Sequence, residues 1–390
     1  MSDLDAAATA AAWSEFCDAI KRAGITILES YPQPTDVDRA EGLRYLAQQV
    51  QASIQDALVG EPGEPPLLRV GANTLNKWGM DSADCKTQSA HLDSAGTYRL
   101  SGRRGNARLV AVQVMVLEPE FVAFASLSED ALGADSAGQL DVVISAARPA
   151  DWTGPWLEMD PATTTLVIRE YFADWEHEAP GSFRIERVDT VPTRPIPTLA
   201  GARRLLDQAA GSFATRPTRW LPNIDPVRAH LVNRLAAKPP TDQGLADNIY
   251  GSGWFQLAAD EALVIELDAP DALLWSFQLA NVWSESLDSI NHSSSLNGDQ
   301  SVASSDGRYR IVVAHEDPGV ANWLDTVGHP EGVILFRYQQ SNNCPQPSAA
   351  VVPFIDVRDA LPADAAVVTI AERASSIARR RAHAAVRWAP

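Results

Sequence analysis

The sequence predicts an α+β protein, β-rich, made of one or two antiparallel jelly-roll-like β-sandwiches with N-terminal, central and C-terminal helical additions. Two observations carry this. From residue 67 to 189, and again from 261 to 339, short alternating or continuous apolar runs are separated by turn chemistry, mostly without helical spacing between them. Around these blocks, residues 8–59, 202–237 and 364–388 hold apolar positions at helical spacing. Strands in that arrangement argue for sandwiches and against βαβ units.

In order, the first helical region carries Trp13, Phe16, Ile20 and Ile25, then a break at SYPQPTD, then a second helix that Asp38 can cap. GEPGEPP at 60–66 closes it. The clearest strands of the first block are RLVAVQVMVL, LDVVISAA, TTLVIREYF and SFRIERV, ending at 117, 147, 172 and 188. A proline-rich connector at 190–201 leads to helical segments near 202–213 and 226–237, and LAAKPPTDQGLAD at 235–247 reads as a polar link. Strands resume at 261–267, 272–283, 308–315 and 333–339, before the helical tail. The divisions expected are 1–62, 63–190, 191–245, 246–345 and 346–390. No fixed repeat of about 20–50 residues stands out, although the alternation of helical and strand-rich regions suggests two related halves.

Composition excludes several function classes. Among 390 residues, 45% are hydrophobic and 21% charged, as in globular proteins, and the net charge is -18. Nucleic acid and anionic membrane surfaces are therefore not expected partners. The one basic run, Arg379–Arg381, reads as a solvated helix end. Three cysteines without CxxC spacing fit neither a disulfide framework nor a zinc site. With an acidic N-terminus and no run of about 18 apolar residues, a cytoplasmic location is expected. GxSxG, Walker and HExxH motifs are absent, and GRRGN at 102–106 lacks dinucleotide-loop spacing, so no cofactor is expected.

The densest chemistry lies in residues 306–337, DGRYRIVVAHEDPGVANWLDTVGHPEGVILFR. It reads as strand, polar turn, strand. Tyr309, Ile311, Val313, His315 and Asp317 share one strand face, apolar first and ionisable last. If the two strands pair, Arg337 reaches the same cavity and finds Asp317 or Asp325 as partner. His315 or His329 then serves as general acid or base with a carboxylate fixing its tautomer. The competing reading is a hydrogen-bonded turn in which Asn322 caps a short helix from Trp323. A metal held by His315, Asp317 and His329 is weighed and not adopted.

A second group, WSFQLANVWSESLDSINHSSSLN at 275–297, aligns Trp275, Phe277, Leu279, Asn281 and Trp283 on one strand face. Indoles beside an amide suit an apolar or sugar-like ligand; sheet packing is the plainer alternative. Glu285 and Asp288 follow, and paired carboxylates can divide acid and base work. Asn297 ends the polar loop. A third group, VIREYFADW at 167–175, reads as structural, with Arg169 paired to Asp174. Cys85, in the polar stretch KWGMDSADCKTQSAHL, reads as inert.

These quoted segments, with SSLN and NWLDT…GH…R, resemble the DUF1214 family over roughly residues 67–340. The resemblance implies a jelly-roll-like sandwich for the C-terminal half. The N-terminal half is distantly similar to DUF1254 regions, whose presence in relatives goes with a second sandwich. The residues matching the family motif are Trp275, Asn281, Glu285, Ser286, Asp288 and Asn297 in the first segment. In the second they are Asp317, Asn322, Trp323, Asp325, His329 and Arg337.

The functional expectation is a cofactor-free enzyme using general acid/base chemistry for hydrolysis, hydration/dehydration or isomerisation. Its catalytic residues are His315, Asp317, Asp325, His329 and Glu285. Its substrate, an apolar or hydroxylated metabolite such as a lipid, terpenoid or sterol, contacts Trp275, Asn281, Trp283, Asn297, Asn322, Trp323 and Arg337. The alternatives are a non-catalytic lipid- or carbohydrate-binding jelly roll and an oligomeric assembly protein.

Overall fold

The computed structural model describes residues 3–60, 64–117, 121–191, 193, 196–238 and 248–388. Two helices, α1 (Asp3–Ser30) and α2 (Asp36–Val59), come first. On α1 the inward positions are Phe16 and Ile27, whereas Trp13 and Ile25 face solvent. Asp38 does not cap α2 itself. Thr35 is the cap, accepting the Asp38 amide at 3.1 Å, while the Asp38 carboxylate accepts the Thr35 amide at 3.0 Å. This reciprocal box satisfies two donors that a helix start otherwise leaves open. Gly42 is required by close approach, since a β-carbon there lies 2.4 Å from the Trp283 ring.

The first sandwich follows as β1 (Arg69–Val70), β2 (Cys85–His91), β3 (Tyr98–Arg103), β4 (Leu109–Val116), β5 (Val122–Leu127), β6 (Gln139–Ser145), β7 (Trp156–Glu158), β8 (Thr165–Tyr171) and β9 (Ser182–Arg187). Helices α3 (Leu199–Thr215) and α4 (Ile224–His230) intervene. The second sandwich is β10 (Leu235–Lys238), β11 (Asn248–Gln256), β12 (Glu261–Leu267), β13 (Ala272–Ala280), β14 (Ser295–Asn297), β15 (Tyr309–Ala314), β16 (Trp323–Asp325), β17 (Glu331–Ser341) and β18 (Ser348–Pro353). A short α5 (Val357–Ala360) and the long α6 (Ile370–Arg387) close the chain.

The first sandwich has sheets ordered β1-β2-β8-β4-β5 and β7-β6-β3-β9; the second has β10-β11-β17-β13-β14 and β16-β15-β12-β18. Adding nine to each label of the first reproduces the second. Even the one parallel pair recurs, β6 with β7 and β15 with β16. The two related halves suspected from the layout are therefore a topological duplication. Each core is the filling between its two sheets, for example Val112, Ile168, Leu100 and Ile144 in the first, and Phe277, Phe336, Ile265 and Ile311 in the second.

Two sequence expectations change. Residues 235–238 form strand β10, paired with β11, rather than part of a helix and polar link; the rest of that link, 239–247, lies outside the described residues. So do parts of the turn at 60–66 and of the proline-rich connector. The basic run is not wholly solvated, because Arg380 of α6 is 4% exposed. It donates to the carbonyl of Ser289 at 3.0 Å. No helix among the described residues is long and apolar enough to cross a membrane.

The central strands β4 and β17 are buried on both faces, because the two five-stranded sheets turn their outer faces toward each other and toward the helices. Leu274 of β13 packs on Leu109 and Tyr171 across that junction. Helices α1 to α4 cover the remainder, with Tyr45, Phe213 and Ile224 against Trp254 and Trp283.

Candidate functional site

The stretch 306–337 does not form a hairpin. Strand β15 belongs to the four-stranded sheet and pairs with β12 and β16, while β17 is in the five-stranded sheet opposite. The segment between them crosses from one sheet to the other, so the residues expected to converge are dispersed. His315 is held by Thr326 Oγ1 at 2.8 Å and the Leu257 carbonyl at 3.3 Å. Asp317 is exposed and pairs with Arg373 at 2.9 Å. Asp325 pairs with His292 at 2.8 Å. Residues 323–325 are a strand, not a helix, and Asn322 pins the neighbouring loop through both atoms of its amide to Val302, each at 2.8 Å. Trp323 donates to the Ala314 carbonyl at 3.1 Å under the Arg373 guanidinium.

The indoles also separate. Trp275 sits in the sandwich core, edge-on to Tyr309 at 4.7 Å, whereas Trp283 lies beyond the end of β13 in the helix-covered cluster. Asn297 reaches across to the first sandwich, donating to Asp84 at 2.7 Å. Asp288 caps its own turn through the amides of Ile290 and Asn291, apart from Glu285. The His315–Asp317–His329 grouping is not formed. Among the described residues, the metal-sized group is Asp38, Glu41 and His329, with ligand atoms within 4.8 Å. Its Asp38 is already committed to the α2 cap.

Three of the expected residues do come together, around one that sequence reasoning missed. Asn281 Nδ2 donates to Glu41 at 2.8 Å and to Glu285 at 3.2 Å. His329 Nε2 faces Glu41 at 2.9 Å, and its Nδ1 faces the Thr326 carbonyl at 3.0 Å. Both imidazole neighbours are acceptors, so both nitrogens donate and the ring is cationic. Burial opposes that charge, but the bond to Glu41 and its attraction outweigh it and raise the pKa. For Glu41, burial likewise raises and the His329 and Asn281 contacts lower, with a net downward shift. Glu285 moves the other way. Burial, with Asp81 and Glu41 adding repulsion, pushes it up to about 8 despite the Asn281 bond. Its Oε1 is buried without a partner, and at neutral pH the group carries a proton. Glu41 was not singled out because it lies on a charged helix 240 residues from Asn281.

A cavity of about 470 Å3 lies elsewhere, between the two five-stranded sheets. Strand β8 contributes Val167, Arg169 and Tyr171; β11 and β17 contribute Tyr250, Ser252 and Arg337. Their register places Arg169 opposite Thr87, and Arg337 opposite Tyr250. One end is aromatic, with Trp220 edge-on to Trp78 at 5.8 Å and to Phe121 at 5.5 Å. Arg216 stacks on Trp78 at 4.4 Å and bonds Asp56 at 3.0 Å; Arg69 shares that carboxylate.

Arg169 is not paired with Asp174, which instead caps the 174–178 turn and bonds His177 at 2.7 Å. It points into the cavity and meets the Gln113 amide oxygen. Arg337 shares its strand face with Val333 and Leu335, as its spacing indicated, but that face is the outer one. It therefore reaches this cavity and the Met80 carbonyl, not Asp317 or Asp325. Burial raises both the Cys85 thiol and the Tyr171 phenol, with Arg169 and Arg337 pulling each back. Cys85 is accordingly no activated nucleophile. A signal for this site was present: Arg169 and Tyr171 alternate with apolar residues on a strand too apolar to be an edge.

A family model described as a protein of unknown function, DUF1214, matches residues 255–342. The crystal structure of an uncharacterised protein from Burkholderia cenocepacia is 30% identical, covering 89% of this chain and 98% of that one with a TM-score of 0.79. The chain belongs to the DUF1214 family. The likeness to the Burkholderia protein spans both sandwiches, whereas the family model spans most of the second. A protein from Vibrio parahaemolyticus aligns over 79% of this chain and 98% of its own, at 12% identity and a TM-score of 0.45. No curated protein matches.

Proposed function

We propose that this DUF1214 protein binds a small organic molecule between its two sandwiches. The observation that carries the reading is the cavity of about 470 Å3, walled by strands from both halves. Its size falls in the range of ligand sites, roughly 300–1,000 Å3. Its lining mixes aromatic walls with a few polar and charged groups, as ligand sites do. Its aromatic end suits the apolar body expected from sequence. All three cysteines are free thiols, which keeps a cytoplasmic setting part of the reading.

Native mass spectrometry of protein taken from its own host, with identification of whatever denaturation releases, tests this. A stoichiometric small molecule is expected, and Thr87→Trp, which fills the cavity from β2, should abolish its retention with the fold intact by circular dichroism. Retention by Thr87→Trp, or a bare chain from the wild type, would sink the reading.

A second reading, the cofactor-free acid/base enzyme, is favoured by the protonated Glu285 beside the ionised Glu41–His329 pair. Two groups pushed apart in pKa can serve as acid and base. The cluster adjoins the cavity wall, because the Ser286 amide and hydroxyl bond Asp81 at 3.0 and 2.7 Å. With the released molecule as substrate, Glu285→Gln should lower turnover at least about a hundredfold with binding retained; undiminished turnover removes this reading.

A further inference from the structure

We infer that the molecule held between the sandwiches is an organic anion, gripped through a carboxylate, sulfonate or phosphate group by Arg169 of the first sandwich and Arg337 of the second. This rests on the binding reading above and adds the chemical class.

Charge accounting within the cavity leads there. Arg69 and Arg216 share Asp56, and the other lining acid, Asp81, is bound to Ser286. Arg169 and Arg337 have no carboxylate partner among the described residues. Arg169 meets a neutral amide oxygen, and Arg337 meets a carbonyl. Arg337 is only 8% exposed, and its Nη1 is buried with no partner at all. A buried guanidinium without a counter-charge is unfavourable, and an anionic ligand supplies both the charge and the missing acceptor. Guanidinium geometry favours planar, two-oxygen acceptors.

The surroundings agree. Both arginines act on the Tyr171 phenol, so they serve one region of the cavity from opposite walls. The chain as a whole carries -18, and a local positive cavity in such a protein is the opposite of what average composition supplies. The Trp78–Trp220–Phe121 end offers flat apolar walls, so the ligand has an aromatic or otherwise planar body as well as an anionic end.

Two fluorescent probes with one skeleton separate the class from the site: 1-anilinonaphthalene-8-sulfonate, and N-phenyl-1-naphthylamine, which lacks the sulfonate. The sulfonate should bind wild-type protein roughly 10- to 100-fold more tightly. Arg169→Gln and Arg337→Gln should each remove about tenfold or more of that affinity, while changing the neutral probe less than about twofold, and Arg337→Lys should restore part of it. Thr87→Trp should abolish both. Equal binding of the two probes, or sulfonate binding indifferent to both arginine variants, overturns the anion inference, yet leaves the cavity reading standing if Thr87→Trp still blocks binding. Binding indifferent to Thr87→Trp, or no binding of either probe, overturns both. Arg169 is less buried than Arg337, so its variant keeps the test open should Arg337→Gln not fold.

Discussion

The junction between the two sandwiches has two ends that treat buried arginine in opposite ways. At the α6 end, Arg387 is 1% exposed; it donates to the Ala83 carbonyl and, at 2.9 Å, to His383 Nδ1. Arg380 donates to Ser289, Ser295 and Gln300, and the buried Asp84 carboxylate lies close to both. Burial lowers both guanidinium pKa values to about 10, against the pull of Asp84. At the cavity end, Arg169 and Arg337 face open space with neutral partners. The first end is a clasp, in which side chains of α6, Arg380, His383 and Arg387, join Ala83 and Glu178 of one sandwich to Ser289 and Ser295 of the other. The second end is an open cavity. The contrast separates arginines bonded across the junction from arginines proposed to serve a ligand, although all lie at one interface.

Breaking the clasp should have the largest effect. Arg387→Ala removes one of the two cations beside Asp84 and leaves the Ala83 carbonyl and His383 Nδ1 without their donor. A loss of about 3–5 kcal/mol is expected, seen in urea or thermal unfolding as separated melting of the two sandwiches.

Acid should act on the clasp next. His383 accepts from Arg387 at Nδ1 and donates from Nε2 to the Glu178 carbonyl at 3.0 Å, so the ring is neutral. Burial, then the Arg387 charge, lowers its pKa to about 4, below the unfolded value of about 6.5. The unfolded chain therefore binds more protons within that window. This contribution is full above about pH 6.5 and is lost as pH falls through about 4, at most about 3 kcal/mol in all. Unfolding free energies measured between pH 4 and 7 should lose that slope in His383→Gln; an unchanged slope places the acid sensitivity elsewhere.

The smallest effect is expected at the cavity end, and it sharpens the contrast. In ligand-free protein, Arg337→Gln should change stability by less than about 1 kcal/mol, or raise it, because an uncompensated buried charge is removed. A loss comparable to that of Arg387→Ala would make Arg337 a cohesive residue like those of the clasp.

How much was legible follows from where each element finds its partners. Strands β4, β8 and β12 were read from RLVAVQVMVL, TTLVIREYF and the run 261–267, since their apolar character is local. Strand β11, NIYGSGWFQ, was not. Its Gly251 is needed because a β-carbon would strike Phe336, and glycine lowers any strand signal. The error with most consequence was pairing the strands of 306–337. Neighbouring strands often pair, but here the duplicated topology sends β15 and β17 to different sheets. That separated His315, Asp317 and Asp325 from Arg337. Sequence alone points to Asn281 on a strand face, Glu285 beyond that strand's end and His329 in the polar turn, each separately. Their meeting depends on Glu41, brought in by α2 packing Gly42 against Trp283.

The sequence by itself determined the β-rich class, the placement of the helical regions, and the family, because patterning and motif residues are properties of short segments. Tertiary structure alone decided that the chain folds as one topology used twice, and which arginines meet a counter-charge. Both depend on residues far apart in the chain becoming neighbours, as Arg216 does with Asp56 and Arg337 with Met80, and no local spacing encodes which outer sheet face a distant strand will meet.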